Sequence, residues 1–470
     1  ATTEPAVTIG ASTWDRVGAE MMNPVVGLFD MAAVGERLIA VGYDPGVVDL
    51  RQNGVVFASD NGVSWERLAE TDQALSKGAV LMYGITEGGP GMVAVGMGCE
   101  DDTQRCAPYP TVWTSVDGTS WTRSEADPAV FTSSGAMLDI VATDGGLVAV
   151  GSVTEAIDDE SYLSRPAAWF SEDGLQWSAP WMGDAVDTAE SMFLPGFAAV
   201  TGGPGDEAVG GGMAENNAGE LVGAVWLSPD GVTWERIDPD APAFAGEDGA
   251  DVTMIDVAAT PGGYIAVGTE AGTKVKIWLS LDGRDWSLLD TSQSLDGVGT
   301  FSSVTAIDSG YVAAGPHPWI DQTDVEMTLW TSTDGQTWNP VLTAGPGYVS
   351  EIVANASGVA IAGQFFSDFN AHAAIWAGPP YDPADPPATP DTMTFAMPVA
   401  DDPDGGPPVD PLDVAGEEVF NWDPAEPSVA ENDVDVDAGT ARLPLGELTT
   451  LPASPRWDFL ATWCQAEGCG

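Results

Sequence analysis

Four carboxylates stand at one fixed distance from a glycine. Asp30, Asp139, Asp256 and Glu351 each lie twelve residues before the Gly that closes an apolar run, at Gly42, Gly151, Gly268 and Gly363. Ser303 shares the spacing, and Tyr83 is placed there with a one-residue insertion. Carboxylates at equivalent positions of a repeated unit have three chemical uses. Two of them flanking a glycosidic bond serve as the acid and base of hydrolysis. Several together supply oxygen ligands to a hard cation such as calcium. Each alone accepts backbone N–H bonds at the start of its own strand. The residues leave all three uses open.

A second acidic run, "DVDVDAG", places Asp433, Asp435 and Asp437 at alternate positions, as calcium loops do. Its Gly comes one residue later than an EF-hand loop requires, and Leu443 and Pro444 stand where the closing Glu belongs. The chain has no H-E-x-x-H, Walker or G-x-S-x-G motif.

The elements that must position the carboxylates are legible from a repeat. The pattern S-x-D-G-x-x-W recurs as "SDNGVSW", "SVDGTSW", "SEDGLQW", "SPDGVTW", "SLDGRDW" and "STDGQTW", with tryptophans 56, 56, 57, 52 and 52 residues apart. Its acidic positions are read as Asp60, Asp117, Asp173, Asp230, Asp282 and Asp334. Between copies the order is constant: an apolar run, a Gly-rich turn, a second run, a variable stretch, and a third run entering the D-G turn. Four short runs rich in Val, Ile, Trp and Thr make a four-stranded antiparallel meander, the blade of a propeller. In the turn, Asp accepts N–H bonds from the residues just ahead of it, Gly supplies φ > 0, and Trp returns the chain to the apolar layer. Six copies of one turn are a framework device, since a catalytic residue needs no equivalents.

This motif resembles the Asp-box, or BNR, repeat of sialidase-like propellers over roughly residues 8 to 378. The resemblance implies an all-β, seven-bladed propeller with Asp-box turns. Its last blade, "SEIVANASGVAIAGQFFSDFNAHAAIWAG", lacks a fourth strand, and "STWDRVGAE" near the N-terminus matches the strands that follow two boxes, so Trp14 is expected to complete it. The repeat occurs in hydrolases and in binding proteins alike. A sialidase needs three converging arginines, a Tyr nucleophile with a Glu partner, and an R-I-P motif before the first box, which this chain lacks. Endoglucanases with such boxes set two propellers around a cleft, and this chain has one. The photosystem assembly factor and sortilin-type families, which bind proteins, are the other comparison.

Variable loops on a rigid scaffold are where binding is placed. The rim opposite the D-G turns carries Arg51, Arg105, Tyr109, Tyr162, Arg165 and Trp181 on consecutive blades, then His317, Trp319, Phe365 and Phe366 on the last two. These suit either loop packing or a stacking surface for sugar rings or a protein partner.

With 72 acidic and 14 basic residues the formal charge is −58, which repels nucleic acid and anionic membranes and suits saline surroundings. Cys99 with Cys106 and Cys464 with Cys469 are spaced for local disulfides rather than for zinc, which points to an exported protein. No run is apolar enough to span a bilayer, and the start at Ala1 reads as a mature secreted chain. From about residue 381 the chain turns Pro- and Asp-rich, with 16 of 35 prolines from residue 379 onward, so a domain over 1–380 is expected to precede a linker and acidic tail over 381–470. That tail is a candidate for contact with a neighbouring subunit. The reading that follows is a secreted or cell-surface, non-catalytic propeller for a glycan or protein partner, without a certain cofactor beyond calcium as an option; the alternative is a glycoside hydrolase using the channel carboxylates.

Overall fold

The computed structural model of the chain describes residues 15–17, most of 26–378, and the short segments 434–435 and 440–441; the main stretches outside the description are 45–52, 100–107, 125–129, 157–161, 188–194 and 317–325. Trp14 lies outside the described residues. The chain divides into two units, residues 1–390 and 391–470.

In the first unit, β1 (Asp15–Val17) precedes a sheet of β2 (Gly27–Val34), β3 (Arg37–Asp44), β4 (Asn53–Ser59) and β5 (Glu66–Leu68). A short helix, α1 (Gln73–Ser76), leads to β6 (Val80–Gly88), β7 (Gly91–Gly98), β8 (Tyr109–Ser115) and β9 (Thr122–Arg123). The third sheet holds β10 (Ser134–Thr143), β11 (Gly146–Ala156), β12 (Tyr162–Ser171) and β13 (Trp181–Met182), with β14 (Val186–Asp187) also on β12. The fourth holds β15 (Gly196–Gly202), β16 (Ala208–Glu215), β17 (Leu221–Ser228) and β18 (Glu235–Arg236). The fifth holds β19 (Val252–Thr260), β20 (Gly263–Glu270), β21 (Lys274–Ser280) and β22 (Trp286–Leu288). The last runs through β23 (Ser303–Ile307), β24 (Gly310–Gly315), β25 (Glu326–Ser332), β26 (Asn339–Asn355), β27 (Gly358–Ser367), β28 (Asn370–Gly378) and finally β1. All pairings are antiparallel. In the second unit only the hairpin β29 (Val434–Asp435) and β30 (Thr440–Ala441) is described.

Seven separate four-stranded blades are the expectation; among the described residues the first unit has six sheets, the last of seven strands. The cause is β26. Its first half pairs with β25 and its second half with β27, without a break at Gly345–Gly347, so two meanders share one strand. The innermost strands lie side by side in a closed ring, β2, β6, β10, β15, β19, β23 and β26, with β26 returning to β2. The architecture is thus an all-β propeller of four-stranded antiparallel meanders around a channel. The last sheet is completed by β1, with Asp15, Arg16 and Val17 paired to Ala377, Trp376 and Ile375.

The core is divided among the faces between neighbouring meanders. One cluster joins Val26, Leu28 and Phe57 of the first sheet to Ala360, Ala362 and Ile375 of the last, so the closure is packed as other junctions are. The D-G turns are built as their chemistry requires. Asp173 Oδ1 accepts the N–H groups of Leu175 and Gln176 at 2.8 Å each, Ser171 Oγ accepts Gly174 N–H at 2.8 Å, and Trp177 Nε1 donates to Gly174 O at 3.2 Å. Gly174 has φ 72°, a conformation that favours glycine. The first turn corrects one assignment: its acceptor is Asn61, which takes Ser64 N–H at 2.7 Å, while Asp60 sits one residue early and pairs with Arg37 at 2.7 Å. The third-strand tryptophans Trp113, Trp169 and Trp278 are buried and tie strand to incoming loop, as when Trp278 Nε1 donates to Ala243 O at 2.7 Å.

Candidate functional site: a carboxylate ring in the channel

Each innermost strand except β23 carries a register shift near its start, between Leu28 and Asp30, Met82 and Gly84, Met137 and Asp139, Phe197 and Ala199, Met254 and Asp256, and Val349 and Glu351. A bulge of this kind leaves an N–H without a ladder partner. The residues just past the bulges are therefore equivalent, and the one in the second sheet is Gly84. Tyr83, placed there by spacing, is the bulged residue itself.

The aspartates answer the bulges in a regular way. Asp30 Oδ1 accepts Met31 N–H at 2.6 Å and its Oδ2 accepts Ile85 N–H of the next sheet at 2.6 Å. Asp139 takes Ile140 N–H at 2.6 Å and Val200 N–H at 2.7 Å. Asp256 takes Val257 and Val304 N–H, both at 2.7 Å. Ser303 Oγ accepts Ile352 N–H at 3.2 Å and donates to Glu351 Oε1 at 3.3 Å. Three aspartates thus satisfy six equivalent N–H groups, and a serine takes the seventh. The carboxylates alternate with small residues, Gly84, Ala199 and Ser303. At Gly84 the reason is contact: a Cβ there would stand 3.1 Å from Asp139 Cα.

The four acidic residues are partly exposed, yet their carboxylates are enclosed by the surrounding chain. Burial raises the Asp30 carboxyl well above its ordinary range, and the Asp139 charge adds to it. Burial pushes Asp139 up to about 7 against the pull of its Val200 bond. Asp256 is raised by burial. Glu351 is raised well above its ordinary range, first by burial and then by the charges of Asp256, Asp30 and Asp139. Among the described residues, no group of three or more His, Cys, Asp or Glu side chains has a metal-binding arrangement.

Beside this ring lies an aromatic cluster that spacing alone did not reveal. Phe29, the bulged residue before Asp30, stacks on Tyr43 at 5.3 Å between centroids and meets Tyr83 at 4.8 Å. All three are half-buried, and burial raises both phenols, with Tyr43 adding to the effect on Tyr83. Tyr83 was visible as an outlier in the spacing; its union with Phe29 and Tyr43 depends on the bulge.

The rim residues are placed unevenly. Tyr109 opens β8, receives a hydrogen bond from Arg123 at 3.0 Å and lies under its guanidinium. Arg165 is in β12 and donates to Gly183 O at 3.3 Å. Trp181, in β13, meets Phe197 and Trp234 at 6.3 and 6.5 Å, within the packing between the third and fourth sheets. Tyr162, Phe365 and Phe366 lie in strands whose backbone alone is described, and Arg51, Arg105, His317 and Trp319 fall outside the described residues. Asp433 and Asp437 also fall outside, as do Cys106, Cys464 and Cys469; Asp435 is known by its backbone in β29, and Cys99 is buried beyond β7.

No family model and no curated protein matches the chain. Solved structures resemble it at low identity. A protein of unknown function from Dyadobacter fermentans is 12% identical with a TM-score of 0.42, the match covering 81% of this chain and 98% of that one. Trypanosoma rangeli sialidase in complex with sialic acid is 14% identical with a TM-score of 0.40, covering 79% and 60%. The β-propeller domain of the Trilobed protease from Pyrococcus furiosus is 9% identical with a TM-score of 0.39, covering 75% and 93%.

Proposed function

We propose that this protein is a non-catalytic binding propeller, secreted or displayed at the cell surface, that takes a glycan or protein partner at the channel mouth and the rim of variable loops. The observation that carries the reading is the commitment of Asp30, Asp139 and Asp256, each of which joins two innermost strands through both carboxylate oxygens. A glycosidase needs one carboxyl free to give its proton to the leaving oxygen and a second free to attack or to activate water. Clamped acceptors serve neither step well. The half-buried faces of Phe29, Tyr43 and Tyr83 next to Asp30 favour a ring-stacking ligand, hence a glycan, over a charged one.

The hydrolase reading keeps one supporting observation: Glu351 takes no N–H of a neighbouring innermost strand among the described bonds, and its carboxyl is raised as a general acid's is. One experiment separates the two. The purified chain is screened in salt against immobilised glycans and, in parallel, against aryl glycosides that include a sialoside. Glycan retention that Phe29→Ala and Tyr43→Ala weaken about tenfold or more, without turnover, is the expected result. Turnover abolished by Glu351→Gln would establish the hydrolase instead.

The disulfides Cys99–Cys106 and Cys464–Cys469, a calcium site at Asp433, Asp435 and Asp437, and a saline habitat remain part of the proposal on sequence grounds.

A further inference from the structure

The ring has one member that its scaffold does not need. Asp30, Asp139 and Asp256 hold neighbouring sheets together, whereas Glu351 accepts the hydroxyl of Ser303 and only shares with that serine's oxygen the N–H of Ile352 on its own strand. An anion bridging two strands gains from staying ionised, because both oxygens are occupied by donors. An anion without that duty, set among three others, gains from taking up a proton.

We propose that Glu351, the one acidic member of the wheel that bridges no two innermost strands, is its proton-storing residue, and that its ionisation as pH rises loosens the ring of innermost strands. The surroundings agree with this from every side that packs on β26. From β2 the ionisable group is Asp30; β23 and β27 carry no ionisable side chain; β24 carries Tyr311, and β25 carries Glu326 opposite Pro346 in the first half of β26; from across the channel come Asp256 and Asp139. Among the described residues the charges acting on Glu351 are the carboxylates of Asp30, Asp139 and Asp256, with no cation to offset them. Ionisation releases a proton to solvent and leaves a fourth negative charge in the enclosed ring. The device is independent of what the rim binds.

The direction of the effect follows from linkage. A glutamate in the unfolded chain titrates near 4.3, and in the folded chain Glu351 titrates well above that. Across the interval the folded state holds a proton that the unfolded state has lost, so stability falls as pH rises and levels off only above the folded value. Two measurements decide the matter. Melting of the full chain is followed from about pH 5 to about pH 9 at fixed ionic strength for the parent and for Glu351→Gln. The parent should lose stability across this range, and the variant should show a shallower slope, the remainder coming from Asp30, Asp139 and Asp256, and melt higher than the parent at the alkaline end. Equal slopes would overturn the proposal. The second measurement does not depend on the variant folding: with glutamates labelled at the side-chain carboxyl carbon, one resonance of the parent chain should hold its protonated position at a pH where ordinary glutamates have ionised, about one to two units above 4.3. A spectrum in which every glutamate is ionised there would also overturn it.

Discussion

At the scale of single residues, the channel separates two kinds of carboxylate by what they bond. Asp256 gives each oxygen to a backbone N–H, one from its own strand and one from β23. In Asp256→Asn one of those oxygens becomes an amide NH2, and a donor then faces a donor. Leaving one enclosed N–H unpaired costs about 1–3 kcal/mol, and this should exceed the relief of removing one negative charge from the ring. Chemical denaturation at one fixed alkaline pH should therefore find the variant less stable than its parent, the opposite sign to that expected there of Glu351→Gln. A variant as stable as its parent would mean that the clamp carries little of the load assigned to it.

At the scale of elements, β1 supplies the test. It completes the last sheet through three residue pairs with β28. Removing residues 1–17 should bare the edge of β28, lower the melting temperature, and promote association through that edge, which size-exclusion chromatography would register. An unchanged melting curve and a monomeric elution profile would show the strand to be dispensable. This element was legible beforehand, because "STWDRVGAE" reads like the strands that follow the boxes, and the D-G turns were legible because Asp, Gly and Trp each have a fixed task there. Three features were not. The shared strand β26 contains Gly345, Pro346 and Gly347, which read as a turn, yet pairing on both sides carries the backbone through them. Asn61 does the work of an aspartate through its side-chain oxygen, so the nearby Asp60 drew the assignment. Gly84 stands at the same twelve-residue spacing, from Gly96, but has no side chain to draw notice beside Tyr83, and the aromatic cluster depends on bulges that leave no mark in composition. The carboxylates are legible from their spacing; the bonds that give them a structural task run to a neighbouring innermost strand, which spacing does not place.

At the scale of the whole molecule, charge dominates. Of three lysines, Lys276 and Lys274 gather at Glu270, with Lys276 buried and 2.5 Å from it and Lys274 also 2.7 Å from Glu247. The remaining acidity is largely unpaired by lysine, and its repulsion should yield to screening. Monovalent salt should raise the melting temperature smoothly as the Debye length shortens from about 10 Å at about 0.1 M to about 3 Å at about 1 M, alike for sodium and potassium. A calcium-specific step at fixed ionic strength would favour a bound cation instead. Acid acts differently. Backbone N–H bonds at the D-G turns hold Asp173, Asp282 and Asp334 below their ordinary values, so the stability they contribute is present above the unfolded value near 3.9 and is lost as pH falls through the lowered ones. Asp139, raised to about 7, works in the opposite sense and withdraws stability between about 3.9 and that value. A grid of melting temperatures over pH and salt should show a maximum in mildly acidic solution that rises with salt; a maximum in alkaline solution would contradict both assignments.

The pairing of β1 with β28 also has a mechanical meaning. Asp15, the first residue of β1, sits opposite Ala377, one residue before β28 ends at Gly378. Tension applied through the chain on either side of the wheel would enter at these adjoining residues, at one end of the same short ladder. Such a load peels the ladder one bond at a time instead of shearing all its bonds together, so the wheel is a clasp that opens under a lighter pull at its ends than a shearing load would need.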